Sequence, residues 1–291
     1  MIKALTVTNP YGEPVRIVLA NEDARHGLLI KSIDGLGPAK ANINVVQMAT
    51  LDGSYYNSAR LDQRNIVIGL IFNGDIENAR LNTYEDFPIK GEVKLEIETD
   101  RRTVYTKGYV ESNEPDIFSK QEEAQISIIC PDPYFYDVES VQISGMAHSS
   151  SSDSGPSVTS IELRNRCDLP IGFDATFEIR EYGASSGDHA NISIRNIQTG
   201  QIMQISDDYL TYITESSYLP GGFKLHLSTR NTEKRILLET TPGFYINVIN
   251  ALGINPDWMY LERGFNDIEI EVQYPYQLEY EFNWRHMYEG V

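Results

Sequence analysis

Alternation of apolar and polar residues dominates the chain. From residue 93 to residue 98, Val93, Leu95 and Ile97 alternate with charged residues, a pattern typical of a strand with one face in water. The same alternation returns in residues 268–273 and 278–284. Turn-forming Gly, Asn, Asp and Pro residues separate these segments, as they do in sandwiches and barrels. The pattern therefore predicts a mainly β protein.

Three segments depart from simple alternation. Residues 65–72 are apolar at almost every position, which predicts a strand buried on both faces. Asp75 is a suitable N-cap for a helix that begins at Ile76, and Pro88 ends that helix. Residues 241–252 are ambiguous, because their apolar residues share one helical face while their β-branched residues fit a strand equally well.

The chain has room for two domains of ordinary size, since it is 291 residues long. The predicted division gives an N-terminal domain of residues 1–140 and a C-terminal domain of residues 141–291. A serine-rich run at residues 148–157 lacks the apolar residues of a core. This run suits a linker between domains and a loop of the second domain equally well.

The charge balance narrows the choice of partners. Forty-two acidic residues against 24 basic ones give a net charge of −18, and such a surface repels phosphate. We therefore expect no tight binding to nucleic acid and no membrane contact. The sequence has no apolar run of the roughly 20 residues that a membrane helix needs, and no signal peptide at its start. A soluble protein made in the cytoplasm is predicted.

Residues capable of catalysis or metal binding are present but scattered. Cys130 and Cys167 lack the spacing of a zinc or redox site and are predicted to be buried thiols. The five histidines form no metal-binding motif, and His226 is predicted to be exposed on a strand. Neither a nucleophile elbow nor a phosphate-binding loop occurs in the sequence. No catalytic, metal or cofactor site is predicted.

Aromatic residues near the end of the chain allow a different function. Trp258 and Tyr260, with Trp284 and Tyr288, are candidates for stacking against a sugar. The alternative, which we favour, is that these rings fill the core or a subunit interface, where aromatic residues are enriched.

Several short motifs are more specific than composition. They are residues 35–38 (GLGP), 51–56 (LDGSYY), 64–68 (RNIVI), 105–110 (YTKGYV) and 125–135 (QISIICPDPYF). Their order and spacing over the first 140 residues resemble the distal tail protein family of long-tailed bacteriophages (siphophages). Weaker support comes from residues 264–268 (GFNDI) and from the final YEGV.

The resemblance implies both a fold and a function. The N-terminal domain is expected to be a β-sandwich or split barrel with one short helix, and the C-terminal domain a galectin-like β-sandwich. Family members form a homohexameric ring that continues the tail tube, join it to the tail-tip hub, and anchor receptor-binding or adhesion proteins. The expected partners are therefore further copies of the chain, the major tail tube protein, the hub and the adhesion proteins. The expected location is the virion, at the tail tip.

The resemblance also makes residues 44–64 and 101–119 candidates for subunit contacts. The turn signal Asp52-Gly53 predicts that residues 44–70 form a hairpin or a long returning loop. The individual candidate contacts in this segment are Asp52, Gly53, Tyr55, Tyr56, Arg60 and Arg64.

Five further residues are predicted to shape turns: Gly108, Pro131, Asp132, Pro133 and Tyr134. Gly108 is expected to let the chain bend within a strand. The two prolines are expected to end the strand before them, because each lacks a backbone donor, and to steer Tyr134 and the next two residues out of the sheet.

A second function class stays open beside the structural one. It is a carbohydrate-binding adhesin that contacts the host surface through the C-terminal sandwich. A third class, a cell-wall hydrolase, has no active-site motif in this sequence.

Overall fold

The chain divides into two compact units. The computed structural model describes residues 1–19, 26–49, 52–116, 122–148, 157–167, 169–181, 183–231, 233–241, 243–253 and 257–291, and residues 149–156 of the serine-rich run lie outside them. The first unit comprises Met1–Val138 together with Met287–Val291, and the second comprises Glu139–His286. The last five residues, which the sequence-based division placed in the second domain, thus belong to the first unit.

The first unit is built from strands and one helix. In chain order they are β1 (Ile2–Thr8), β2 (Pro14–Leu19), β3 (Leu28–Asp34), β4 (Ala41–Gln47), β5 (Ser54–Leu61), β6 (Arg64–Phe72), α1 (Ile76–Asp86), β7 (Glu92–Thr99), β8 (Thr103–Pro115), β9 (Glu123–Cys130) and β10 (Phe135–Asp137).

Seven of these strands close into a barrel. They follow the order β8-β7-β1-β2-β3-β6-β9, and β9 pairs again with β8 to complete the circuit. Strands β2 and β3 run parallel, and the other pairs are antiparallel. Closure leaves these strands without a free edge, and β10 adds to the sheet beside β8.

Alternation along each strand fills the barrel. On β6, Ile66, Ile68, Leu70 and Phe72 are buried, and they join the inward residues of β1, β7 and β9 in one core cluster. The intervening residues of β6 are exposed or only half-buried. The prediction of a strand buried on both faces was therefore wrong for one face, which carries only a small cluster around Ile71.

Helix α1 confirms the sequence-based prediction. The Asp75 carboxylate accepts a hydrogen bond from the backbone N–H of Asn78 at the start of the helix. At its end, the backbone N–H of Phe87 donates a hydrogen bond to the Thr83 carbonyl oxygen. Ala79 and Phe87 are buried in the barrel core, so the helix packs against this core.

The second unit contains two antiparallel sheets. Its elements are β11 (Val141–Ala147), β12 (Ser157–Asn165), β13 (Asp174–Glu181), β14 (Ser193–Asn196), β15 (Ile202–Gln204), α2 (Asp207–Thr214), β16 (Lys224–Ser228), β17 (Arg235–Glu239), β18 (Tyr245–Asn247), a 3-10 helix (Ile249–Leu252), β19 (Gly264–Val272) and β20 (Tyr276–Trp284).

The sheets of the second unit follow the orders β11-β20-β13-β16-β17-β18 and β12-β19-β14-β15. Buried residues alternate with exposed ones along β19 and β20, as in a β-sandwich. In the six-stranded sheet, the Phe177 and Phe282 rings meet edge to face, with their centroids 5.7 Å apart. The mainly β prediction is confirmed in both units.

Two local features of the second unit differ from expectation. Residues 241–252 were ambiguous between helix and strand, and they contain β18 followed by a single 3-10 turn. Helix α2 was not predicted, although the Ser206 hydroxyl caps it by accepting a hydrogen bond from the backbone N–H of Tyr209. After this unit the chain returns to the barrel as β21 (Met287–Tyr288), which pairs with β10.

Candidate assembly surface

Strands β4 and β5 form a ribbon that we call the arm (residues 41–61). Among the described strands they pair only with each other, in antiparallel register from Ala41–Leu61 to Gln47–Ser54. The connecting turn contains Gly53, whose φ of +93° suits glycine. Of the two structures left open by the sequence, the hairpin is the one adopted.

The arm exposes apolar side chains that a soluble monomer normally buries. All seven residues of β4 and seven of the eight in β5 are exposed. The large apolar residues, between 46% and 67% exposed, are Ile43, Val45, Val46, Met48, Tyr55 and Tyr56. A two-stranded hairpin with both faces in water is marginally stable, and a contiguous apolar patch marks a contact site.

Charge is nearly absent from the arm. Residues 41–61 contain one acidic residue, Asp52, and one basic residue, Arg60, in a chain with a net charge of −18. The cores of protein interfaces are depleted in charged residues and enriched in Tyr and Met. The arm therefore has the composition of an interface.

Five of the six candidate contact residues lie on the arm. Asp52, Gly53, Tyr55, Tyr56 and Arg60 are all exposed there. The Arg60 side chain is extended into solvent, with its Nε atom 3.7 Å from the Asp62 carboxylate. Exposure makes these residues available for contact, and their role in assembly stays a prediction.

Arg64, the sixth candidate, lies elsewhere and has another role. It is 3% exposed, and its guanidinium donates hydrogen bonds to the backbone oxygens of Gly35, Gly37, Pro133 (2.8 Å) and Glu289 (2.6 Å). Its Cζ atom lies 4.4 Å from the centroid of the Phe135 ring. The structure corrects the prediction of a subunit contact, because this side chain is buried and hydrogen-bonded inside the first unit.

Several of the short motifs supply the groups that surround the Arg64 guanidinium. The GLGP segment, the PDPYF segment and the final YEGV each contribute a carbonyl or a ring to the guanidinium. Burial lowers the pKa of Arg64, and the nearby Cys130 and Asp132 oppose that shift. These motifs thus form a structural anchor at the base of the arm, since β5 and β6 are separated by only two residues.

Gly108 is needed for close packing between neighbouring strands. Its backbone has no unusual φ, but a Cβ atom at this position would lie 2.7 Å from Cys130 Sγ and from Ile128 Cγ2. Strand β8 passes there from its pairing with β7 to its pairing with β9. The glycine therefore permits barrel closure, and the bend expected within this strand stays a prediction.

The proline segment confirms one prediction and contradicts another. Strand β9 ends at Cys130, directly before Pro131, as expected. However, residues 135–137 form β10 and remain in the sheet, with Tyr136 paired opposite Tyr105. Two side-chain bonds hold this turn, because Asp132 accepts hydrogen bonds from the Tyr134 backbone N–H (3.1 Å) and from the Tyr136 hydroxyl (2.7 Å).

The second candidate contact segment, residues 101–119, is described as far as residue 116 and consists mostly of β8. Its outward face carries Lys107 and the half-exposed Tyr109, whose hydroxyl donates a 3.1 Å hydrogen bond to Glu92. This bond raises the pKa of Tyr109. The face is more charged than the arm, so it offers a different kind of surface.

Trp258 and Tyr260 are both half-buried. The Lys234 ammonium lies 5.6 Å from the Trp258 ring centroid and 5.4 Å from that of Tyr260. The Tyr260 hydroxyl also donates a hydrogen bond to Asn231. A lysine thus already lies against the ring faces that a sugar would need.

The remaining motif, GFNDI, is also structural. Asn266 is fully buried, and its side-chain oxygen accepts hydrogen bonds from the Glu262 backbone N–H (2.9 Å) and from Asn196 Nδ2 (3.1 Å). Its amide group donates to the Glu262 carbonyl. These bonds fix the turn before β19.

Both cysteines are buried, as predicted. Burial raises the pKa of the Cys130 thiol to about 11, which keeps it protonated and unreactive. Across the described ranges, no three His, Cys, Asp or Glu side chains are grouped so as to hold a metal ion. No helix in the same ranges is long and apolar enough to cross a membrane.

Comparison with solved structures shows that this fold is similar to that of a known phage protein. The Dit protein (gp 19.1) of phage SPP1 superposes with a TM-score of 0.63 at 12% sequence identity, over 98% of this chain and 100% of the other. A chain of the phage P2 baseplate in its activated conformation with Ca has a TM-score of 0.48 at 11% identity, over 100% of both chains. No protein-family profile and no curated protein matches the sequence. The similarity to SPP1 Dit shows that the chain has a Dit-like fold.

Proposed function

We propose that this protein is a structural component of a bacteriophage tail tip, where copies of it form a ring between the tail tube and the tip hub. Two findings support the proposal. The fold is similar over nearly the whole chain to SPP1 Dit, a hub protein of an adsorption apparatus. The arm, moreover, is an exposed, apolar and almost uncharged ribbon, and this observation carries the proposal.

A ring of identical subunits requires two different patches on each copy, because every subunit contacts its neighbours head to tail. The arm supplies the first patch, with Tyr55 and Tyr56 as the principal contacts. The outward face of β8, around Lys107 and Tyr109, supplies the second. Six copies are expected, as the resemblance to distal tail proteins implies.

The ring would have further partners on both sides. The major tail tube protein is expected on one side and the hub on the other, while the second unit, as a galectin-like sandwich, would anchor receptor-binding or adhesion proteins. No reaction, cofactor or metal is part of this proposal. The site of action would be the tail tip of the virion.

The acidity of the chain has a use in this arrangement. Part of the −18 charge would line the channel of the ring, where it keeps passing DNA from adhering. Neutralising the carboxylates that face the channel is expected to slow DNA ejection. Unchanged ejection from tails that assemble normally would contradict this use of the charge.

The ring is tested by light scattering on the purified protein, alone and mixed with the tail tube protein. The expected result is an assembly with the mass of six chains in at least one of the two samples. A mass of one chain in both samples would contradict the proposal.

A further inference from the structure

Four polar side chains form a row across the six-stranded sheet of the second unit, and three of them are joined by hydrogen bonds. The row contains Thr176 on β13, His226 on β16, Glu239 on β17 and Tyr245 on β18, one residue from each of four neighbouring strands. Thr176 Oγ1 lies 3.2 Å from His226 Nδ1, and His226 Nε2 lies 2.7 Å from Glu239 Oε2. The centroids of the His226 and Tyr245 rings are 5.8 Å apart.

The pleat of the sheet fixes this row on the outer face. Thr176 stands opposite His226, and Glu239 stands opposite Tyr245, in the strand registers. The residues that alternate with them, including Phe177, Leu225 and Leu238, are fully buried and hold the strands in place.

The polar ends of the row are ordered before any ligand arrives. The hydrogen bond with His226 is the largest cause that lowers the pKa of Glu239, followed by the electrostatic contributions of His226 and Lys224, so this carboxylate is charged at neutral pH. Side chains held by one another lose little conformational entropy when a ligand binds. The His226 side chain is still 30% exposed, and that of Glu239 is 25% exposed, so both are within reach of a ligand.

An exposed aromatic ring belongs to this row. Tyr245 is 62% exposed. Lys224, which stands opposite Glu239 on the neighbouring strand, lies 3.7 Å from the Glu178 carboxylate, and Arg180 lies 2.9 Å from the same carboxylate. Because carboxylates neutralise these cations, the face does not favour an anionic ligand.

We propose that Thr176, His226, Glu239 and Tyr245 form a binding site for a neutral saccharide. Sugar hydroxyls both donate and accept hydrogen bonds, which matches a row that contains a carboxylate and two hydroxyl groups. The C–H face of a sugar ring packs on an exposed aromatic ring, here Tyr245. The site differs from the Trp258 and Tyr260 pair, against which Lys234 already lies.

This site goes beyond the structural role, since a ring would assemble without it. A ring would nevertheless strengthen it, because several weak sites on one assembly bind a polymer of sugars more tightly than one site does. The site would then contribute to contact with a glycan on the host surface.

The test is saturation-transfer NMR on the full chain with glucose, galactose, rhamnose and N-acetylglucosamine as separate probes. We expect transfer to at least one sugar, and a loss of affinity of about tenfold or more in Tyr245→Ala and in Glu239→Gln. The matched control is Tyr212→Ala, which removes a 78% exposed tyrosine from α2 of the same unit and is expected to bind as the wild type does.

Thermal unfolding of each variant checks that the fold is retained, so a loss of binding is not mistaken for unfolding. The absence of transfer from the wild-type protein to all four sugars would overturn the proposal. Equal affinities for Tyr245→Ala, Glu239→Gln and the wild type would also overturn it. Neither result would bear on the ring, whose test is independent.

Discussion

The guanidinium of Arg64 donates a 2.6 Å hydrogen bond to the backbone oxygen of Glu289, 225 positions later in the sequence. The first β-unit therefore includes the end of the chain, and one buried cation joins segments that are far apart in sequence. Since only two residues separate the end of the arm from Arg64, where β6 begins, the same cation fixes the base of the arm.

Replacement of Arg64 is expected to destabilise the first unit. In Arg64→Lys the planar fork is lost, so several of the four backbone oxygens remain buried without a donor. We expect a loss of about 2–4 kcal/mol in the free energy of unfolding, measured by urea denaturation. Arg60→Lys, on the exposed arm, is the matched control and is expected to leave stability unchanged. Equal midpoints for the two variants would contradict the anchoring role.

A charge placed on the arm is expected to prevent assembly without unfolding the chain. Val46 and Tyr55 stand opposite each other on the ribbon and are more than half exposed. In Val46→Glu or Tyr55→Glu, a carboxylate would have to be desolvated in the interface, which is costly. Light scattering is expected to find single chains, and thermal unfolding is expected to give an unchanged melting temperature.

The control for the arm variants is Tyr212→Glu, which adds the same charge to an exposed site of the second unit. This variant is expected to assemble as the wild type does. If the arm variants assemble to the same mass as this control, the arm is not a subunit contact.

Asp86 is expected to make the stability of the first unit depend on pH. Asp86 lies at the end of α1 and is 9% exposed, and burial raises its pKa from 3.8 to about 6, with His26 opposing the shift. Because the folded chain holds this proton more tightly than the unfolded chain, the contribution of Asp86 to stability falls as pH rises from about 4 to about 6.

Asp86→Asn removes this dependence, because the amide does not ionise. We compare the change in the free energy of unfolding from pH 4 to pH 7 in the two proteins. This change is expected to be more favourable in Asp86→Asn than in the wild type, by on the order of 1 kcal/mol after allowance for solvent screening. Urea denaturation at both values measures the difference. Glu85→Gln, at the exposed neighbouring position, is the control. A wild-type difference that persists unchanged in Asp86→Asn would contradict the assignment.

Gly108→Ala is expected to strain the barrel where β8 meets β9. The added methyl group would lie 2.7 Å from Cys130 Sγ, and we expect a destabilisation of about 1–3 kcal/mol in thermal or urea unfolding. Gly37→Ala is the control, because its Cβ atom would meet nothing within 4 Å.

The second variant for this site is Gly108→Ala combined with Cys130→Ala. Removal of the sulfur makes room for the new methyl group, so the two changes are expected to cost less together than the sum of their separate effects. Simple additivity would show that the contact between these two positions is not the source of the strain.

Local patterns predicted much of the fold. Alternation in residues 93–98, 268–273 and 278–284 predicted β7, β19 and β20, because one face of each strand is buried. The cap at Asp75 predicted the start of α1. These features depend on residues a few positions apart, so the sequence alone displays them.

Features that depend on distant partners could not be predicted in this way. The four oxygens around Arg64 come from residues between 27 and 225 positions away, so the residue was taken for a surface contact. Helix α2 has only eight residues and depends on its cap and its packing more than on periodicity. The row at His226 joins four strands, and only the sheet order brings its members together.

The arm is an intermediate case. Its turn was visible as Asp52-Gly53, and its lack of charge can be counted in the sequence. That both faces are in water follows only from the closed barrel, which leaves the ribbon no partner among the described strands.

The most direct test of the ring is electron microscopy of the purified protein in negative stain, with the tail tube protein added in a parallel sample. Class averages are expected to show rings with six-fold symmetry and a central channel in at least one sample, and to lose these rings in Tyr55→Glu. Particles of single chains in both wild-type samples, or rings that survive Tyr55→Glu unchanged, would contradict a ring built through the arm.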